Sequence, residues 1–210
     1  MKGTDFLPRI GEGLVEPLDG VVARRICLPT YSYLSPLLSR LRLSLAHLSL
    51  TSLFSAFISG LMLYLGNFAV GGVLVFITLI VGWLGWRQVE MFRVPSFWMV
   101  LGSTLDRIGE IFIISGIILS RFTTGIFWQL IGVFALVGSL TVSYTAVRSG
   151  REFKGFIWKG FSAYGATKDV RLTIIAASSI LSVPSLGLIA LAILTLTVVV
   201  KRILDMLSLE

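Results

Sequence analysis

Two acidic residues lie four positions apart inside an apolar stretch of this sequence. Asp106 and Glu110 fall between Trp98 and Leu119, where apolar residues flank both of them. An ionised side chain at the centre of a membrane costs about 2.5–3.5 kcal/mol even on the mildest insertion scale, so both should face the interior of a helix bundle. Residues four apart share one helical face, where two like charges repel unless a cation lies beside them. We expect that cation to be a bound ion, or Arg93, Arg107 or another arginine at the cytoplasmic end.

Two interpretations of this acidic pair follow from its chemistry. Hard oxygen ligands suit Mg²⁺ or Mn²⁺, and Mg²⁺ is typically held by one or two carboxylates together with the phosphates of a substrate. Asp106 and Glu110 are therefore candidate metal ligands. Gly102, one turn earlier, would allow a ligand or another backbone to approach closely, so it is a candidate substrate contact. The alternative is a structural cluster of salt bridges at the end of the third helix.

Apolar stretches of this kind recur along the chain. Of the residues, 55% are hydrophobic and 14% charged, whereas soluble domains average about 25% charged residues. A helix needs about 20 residues to cross the hydrocarbon core. The sequence thus predicts an all-α, polytopic membrane protein with six transmembrane helices, the last two short and joined in a hairpin at Pro184. The apolar stretches run through Leu48–Leu65, Phe68–Trp86, Trp98–Leu119, Ile126–Val147, Leu172–Val183 and Leu186–Val200.

The positive charges predict the orientation of these helices. Short cytoplasmic loops collect Lys and Arg. If the N-terminus is cytoplasmic, six crossings leave Arg121 as the one cation outside among the 18 in the chain, and the C-terminus is cytoplasmic too. The net charge of +7 is then a topology signal and an attraction to anionic lipid headgroups. It is not an indication of nucleic-acid binding.

The chain divides into an N-terminal lead with an interfacial helix, residues 1–45, and a transmembrane domain, residues 46–210. Apolar residues recur at helical spacing from Tyr31 to Leu45, which is typical of an amphipathic helix lying in the membrane interface. Cys27 and His47 are each the only residue of their type. Since a zinc site needs three or four ligands, we expect both to be packed or interfacial side chains.

The longest cytoplasmic connection, from Arg148 to Arg171, is rich in cations and aromatic residues. One interpretation is a solvated interfacial loop with an aromatic belt. The other is an anion-binding role, because Lys and Arg at a membrane surface can bind the phosphates of a substrate. On this second interpretation Arg148, Lys168 and Arg171 are candidate phosphate contacts.

The spacing Arg93-x8-Gly102-x3-Asp106-x3-Glu110 resembles the second half of the signature of the CDP-alcohol phosphotransferases, DxxDGxxARx8Gx3Dx3D. Carried back in the same register, the first half departs from the signature, because its two Asp positions hold Gly85 and Gln88. The resemblance extends over most of the chain. The leading segment 19–24 and the segment 168–172 are similar to archaeal-type members that make inositol-phosphate lipids.

The resemblance implies a fold, a reaction and a set of roles. The fold would be six helices around a polar cavity open to the cytoplasm. The reaction would transfer a phosphoryl-alcohol group from a CDP-linked donor to an acceptor hydroxyl, with release of CMP, in phospholipid biosynthesis. Asp106 would be a ligand of Mg²⁺ or Mn²⁺, Glu110 a metal ligand or catalytic base, and Arg93 and Gln88 substrate contacts. Membrane lipid, a CDP-linked donor and a second copy of the chain would be the partners.

The departure from the signature leaves different functions open. Two metal ions need several anionic oxygens to offset their repulsion, and Gly85 and Gln88 supply no carboxylate. The chain is then either an enzyme with an altered site, or a non-catalytic relative that binds lipid or nucleotide or acts as the partner of an active paralogue. A third class, a small transporter or channel, would use the same intramembrane carboxylates as an ion or proton path.

Overall fold

Six long helices account for most of the chain that the structure describes. This is a computed structural model, and it describes residues 22–27, 29–30, 33, 40, 43–91, 95–152 and 161–207. Short helical turns lie at Ala23–Cys27, Arg121–Thr123 and Phe161–Tyr164, and the described segments contain no strand. The long helices are α1 (Leu45–Tyr64), α2 (Phe68–Met91), α3 (Ser96–Ile118), α4 (Ile126–Glu152), α5 (Lys168–Ile180) and α6 (Pro184–Leu207).

Four of the described helices, α1, α2, α4 and α6, are long and apolar enough to cross a membrane. The other two long helices, α3 and α5, do not meet this criterion, each for its own reason. Helix α3 has 23 residues but carries Asp106, Arg107 and Glu110, and α5 has only 13 residues. The described residues are all-helical, as predicted, and the four candidate spans agree with a polytopic membrane protein. The number of crossings and their orientation stay predictions.

The helices pack in a connected bundle. Helix α1 lies against α2 and α3, α2 also contacts α5, and α6 packs on α4 and α5. Buried apolar side chains such as Leu79, Ile113, Ile175 and Leu188 form the core that these helices share. Since α2, α3 and α5 surround one region of this core, polar residues on their facing sides are brought together there.

Small residues allow α1 and α3 to approach closely. Three glycines of α3, spaced seven residues apart, each face a small residue of α1, as is common where membrane helices pack. A side chain on Gly60 would come within 2.5 Å of the Phe112 carbonyl oxygen. The facing pairs are Gly102 with Ser49, Gly109 with Ala56, and Gly116 with Gly60.

Helices α5 and α6 are separate, as the sequence predicted. A turn at residues 181–183 joins them, with Ser182 at φ 60°, and Pro184 is the first residue of α6. Pro suits this position because the first N–H of a helix has no partner within the helix. The buried Arg202 of α6 donates hydrogen bonds to the Val142 carbonyl and to Thr145 Oγ1 of α4, which ties these two helices together.

The segment before α1 contacts the bundle at two points. The Val22 N–H donates a hydrogen bond of 3.1 Å to Asp169 Oδ2 of α5, and Cys27 is fully buried beside Leu48, Trp83 and Leu84. Cys27 is thus packed, as expected. Most of the predicted amphipathic helix, Tyr31–Leu45, lies outside the described residues.

His47 is exposed rather than packed, and it contributes to the start of α1. Its backbone N–H donates to Ser44 Oγ, and its ring Nδ1 accepts from the Ser44 backbone N–H. The pair forms a capping box that satisfies N–H groups at the start of α1.

The close packing of α1 and α3 predicts a position-dependent cost of adding a methyl group. In Gly116→Ala the new Cβ would meet the Gly60 backbone, which cannot rotate away, so we expect a loss of about 1–3 kcal/mol in the free energy of unfolding. In Gly109→Ala the neighbour is the Ala56 Cβ at 3.1 Å, and the expected loss is smaller. Unfolding curves of both variants in detergent test this, and equal losses would contradict the described packing.

Burial also predicts the reactivity of the single thiol. Burial, with a smaller contribution from the negative charge of Asp169, raises the pKa of Cys27 to about 11. Since the thiolate is the reactive form, maleimide at pH 8 should label the folded protein slowly and the SDS-unfolded protein fast. Asp169→Asn should speed the labelling because it weakens the contact with Val22. Fast labelling of the folded wild type would contradict the described position of Cys27.

Candidate functional site

A buried ion pair joins α3 to α5. Arg171 Nε lies 2.7 Å from Glu110 Oε1, and Arg171 Nη2 lies 3.1 Å from Glu110 Oε2. The contact is therefore bidentate, the geometry in which a guanidinium binds a carboxylate best. Both side chains are almost fully buried, at 0% and 1% exposure. A third guanidinium nitrogen, Arg171 Nη1, donates to the Ala166 carbonyl.

Two further donors complete the surroundings of Glu110. Ser139 Oγ of α4 donates to Oε1, and Arg107 Nη1, one turn earlier on α3, lies 3.3 Å from Oε2. Each carboxylate oxygen thus accepts two hydrogen bonds. A carboxylate has about four lone-pair sites, so Glu110 has no acceptor site left for another donor in this arrangement.

Asp106 has a separate cation. Lys168 Nζ, from the first turn of α5, lies 2.7 Å from Asp106 Oδ2, and Trp86 Nε1 of α2 donates to the same oxygen at 2.7 Å. The Asp106 side chain is 7% exposed and that of Lys168 18%. This second ion pair is therefore closer to the surface than the Glu110 pair.

The first turn of α5 positions both cations. The helix begins at Lys168, after Thr167, and residues three apart lie on neighbouring parts of a helical face. Lys168 and Arg171 consequently reach Asp106 and Glu110, which are themselves one turn apart on α3. Asp169 points to the N-terminal segment instead, where it accepts from the Val22 N–H.

The predicted site residues have different positions in the structure. Asp106, Glu110, Lys168 and Arg171 come together as two ion pairs. Gly102 faces Ser49 and Leu45 of α1, so its small size serves helix packing here. The structure describes no side chain for Gln88 or Arg148, which lie in α2 and α4, and Arg93 lies outside the described residues.

The cations beside the two acidic residues agree with the prediction for Glu110 but not for Asp106. Arg107 does contact Glu110, but the cation beside Asp106 is Lys168, which had been proposed as a phosphate contact. Trp86 and Ser139 were not anticipated. A tryptophan N–H and a lone hydroxyl on apolar helices have no distinctive spacing, and only the packing of α2 and α4 brings them to the acidic residues.

These residues do not fit a divalent metal ion. Mg²⁺ demands oxygen ligands in near-octahedral geometry. No three His, Cys, Asp or Glu side chains come together among the described residues, and each of the two carboxylates already contacts a protein cation. A Cβ on Gly85 would face Leu45 and Leu48 of α1, whereas one on Gly82 would lie 3.4 Å from Asp106 Oδ1. The position beside Asp106 is thus Gly82, not Gly85.

Comparison with known proteins identifies one curated relative. The chain is 32% identical over 190 residues, 89% of its length, to the bifunctional IPC transferase and DIPP synthase of Rubrobacter xylanophilus. It spans 42% of the length of that relative. No protein-family model matches the chain.

Solved structures share the fold. The apo crystal structure of phosphatidylinositol phosphate synthase from Mycobacterium tuberculosis aligns with a TM-score of 0.65 and 19% identity, covering 79% of this chain and 90% of that chain. The same protein with CDP-DAG bound aligns with a TM-score of 0.61 and 19% identity, covering 85% and 92%. The curated relative agrees with the resemblance to the CDP-alcohol phosphotransferase family, and the solved structures show that the fold is shared.

The burial of the Glu110–Arg171 pair predicts that replacing Arg171 lowers the free energy of unfolding much more than replacing an exposed lysine does. Arg171→Met would leave the Glu110 charge buried without its bidentate partner, and breaking such a pair costs about 3–5 kcal/mol of the free energy of unfolding. The control, Lys201→Met, removes an exposed lysine that pairs with Asp205 at 3.0 Å, a contact worth about 0–1 kcal/mol. SDS-induced unfolding of the purified variants measures both, and similar stabilities would contradict the assigned role of Arg171.

Proposed function

We propose that this relative of the CDP-alcohol phosphotransferases binds the anionic headgroup of a membrane lipid, of the CDP-linked type, without transferring its phosphoryl-alcohol group. The observation that carries the proposal is the pairing of each site carboxylate with a protein cation, Asp106 with Lys168 and Glu110 with Arg171. The carboxylates are then structural. The protein would act in phospholipid metabolism as a binding protein or as the partner of an active enzyme.

The charges of the site favour an anion over a divalent cation. Asp106 and Glu110 are surrounded by three cations, Lys168, Arg107 and Arg171. This leaves an excess of one positive charge among the five residues. Lys168 and Arg107 are 18% and 23% exposed, so their nitrogens can reach phosphate oxygens, which charge-assisted hydrogen bonds bind well.

The surroundings of Glu110 argue against its action as a base. A general base needs a free acceptor site within hydrogen-bond distance of the hydroxyl that it deprotonates. Four donors already contact the two oxygens of Glu110. Deprotonation of an acceptor alcohol by Glu110 would first require the loss of at least one of these contacts inside the bundle.

The proposed location is a cytoplasmic opening of the bundle. We take the chain to cross the membrane six times with both termini inside, since this arrangement puts all of its cations except Arg121 on the cytoplasmic side. Residues 1–45 form the interfacial lead and residues 46–210 the transmembrane domain. Arg93, Gln88 and Arg148 would supply further phosphate contacts, and the homodimer implied by the resemblance stays a prediction.

The second candidate is the transfer reaction itself. The relative named as an IPC transferase favours it, as do the solved neighbours that contain CDP-DAG or manganese and citrate. Transfer of the phosphoryl-alcohol group to an acceptor hydroxyl, with release of CMP, would need Mg²⁺ or Mn²⁺. Lys168 would have to leave Asp106 for such an ion to enter.

Measurement of CMP release separates the two candidates. The purified full chain would be mixed with CDP-diacylglycerol or archaeal CDP-lipid donors, polyol acceptors, and Mg²⁺ or Mn²⁺. We expect no CMP above the no-protein background, because the site lacks a fitting metal centre and a free base. Release of CMP that disappears in Asp106→Asn would overturn the non-catalytic proposal.

Binding is tested on the same preparation. CDP-diacylglycerol in neutral detergent micelles should raise the unfolding temperature, since a ligand at 100 times its Kd adds about 2.7 kcal/mol to stability. Arg107→Met should reduce this rise, and Lys201→Met, which alters a distant surface lysine, should not. Equal responses to CDP-diacylglycerol and to phosphatidylcholine would contradict the binding proposal.

A further inference from the structure

Lys168 occupies the space beside Asp106 where a metal ion would have to sit. We infer that its ammonium group is a built-in replacement for a divalent cation, and that Asp106 therefore binds neither Mg²⁺ nor Mn²⁺ in this protein. This inference concerns metal binding alone, so it does not depend on the lipid-binding proposal. It rests on three features of the described residues.

The first feature is the set of contacts that Asp106 already makes. Its Oδ2 oxygen accepts from Lys168 Nζ and from Trp86 Nε1, each at 2.7 Å. A dication at that oxygen would displace both donors and would lie next to the ammonium charge. Like charges held side by side repel each other, so the lysine excludes a metal ion by occupancy and by repulsion.

The second feature is the shape of α2 opposite Asp106. Gly82 has no side chain, and a Cβ there would lie 3.0 Å from Lys168 Nζ, 3.1 Å from Ser52 Oγ and 3.4 Å from Asp106 Oδ1. The missing side chain therefore leaves the room that the ammonium group fills. A carboxylate at position 82 would instead point at Asp106 and Lys168.

The third feature is the tether. Lys168 belongs to the first turn of α5, which the buried pair of Arg171 with Glu110 fixes against α3. A tethered group has an effective concentration of about millimolar or more. A dissolved metal ion would compete with a cation that cannot diffuse away.

The positions of Gly82 and Lys168 suggest that two substitutions would create a metal site beside Asp106. Gly82→Asp would add a second carboxylate next to Asp106, and Lys168→Met would remove the resident cation. Since Mg²⁺ and Mn²⁺ sites commonly use one or two carboxylates with water, the double variant G82D/K168M should bind Mn²⁺. Asp at position 85 should not, because that position faces α1.

Mn²⁺ binding can be followed by the loss of the free-ion EPR signal, with full-length protein in neutral detergent and no nucleotide. We expect no saturable binding by the wild type or by Lys201→Met, which loses a lysine paired with Asp205. Lys168→Met should bind weakly, and G82D/K168M about tenfold or more tightly than that. Adding Asp106→Asn to the double variant should abolish the binding.

Two results would overturn the inference. One is saturable Mn²⁺ binding by the wild type that is lost in Asp106→Asn, a measurement that needs no destabilised variant. The other is a folded G82D/K168M, judged by its unfolding transition, that binds no Mn²⁺, because Lys168 would then not be what excludes the ion. Neither result bears on whether CDP-diacylglycerol stabilises the protein, so a failure of this inference is distinguishable from a failure of the lipid-binding proposal. Mn²⁺ binding by the wild type would remove one ground for expecting no CMP release, which the CMP measurement tests separately.

Discussion

The charge of Glu110 is the constraint to which three helices are adapted. A carboxylate whose side chain is 1% exposed in an apolar bundle is tolerated only when protein donors replace its hydration. Those donors come from α3 itself, from α4 and from α5. Satisfying one side chain therefore fixes the rotation of α5, and this rotation in turn brings Lys168 to Asp106. The second ion pair follows from the geometry that the first one requires.

The pairing of both carboxylates with protein cations bears on how far a shared fold implies a shared chemistry at the site. Solved structures with a similar arrangement of helices contain CDP-DAG or manganese and citrate. In the described part of this site the cations outnumber the carboxylates by one, and each carboxylate is paired with a protein cation. A fold can be shared by proteins whose sites differ, and in this chain Gly82 of α2 and Lys168 at the start of α5 line the space beside Asp106.

Much of the architecture could be predicted from the sequence because it depends on periodic patterns. Long apolar stretches predicted the helices, and Pro184 predicted the break between α5 and α6. Spacing on one helix also predicted that Asp106 and Glu110 share a face. The partners across helices could not be predicted, because they depend on the rotation of each helix about its axis. The register of the signature assigns its two Asp positions to Gly85 and Gln88, whereas the described glycine of α2 that faces Asp106 is Gly82.

The order in which the chain is made adds a consequence of the Glu110–Arg171 pair. The two residues are 61 positions apart, and synthesis proceeds at about 5–20 residues per second, so Arg171 is made about 3–12 s after Glu110. Among the described donors to Glu110, Arg107 is made first, because it precedes Glu110 on the same helix. Ser139 follows with α4, and the bidentate partner Arg171 arrives only with the start of α5. The charge of Glu110 is therefore fully paired only late in synthesis, and the native bundle then still requires α6, which packs on α4 and α5.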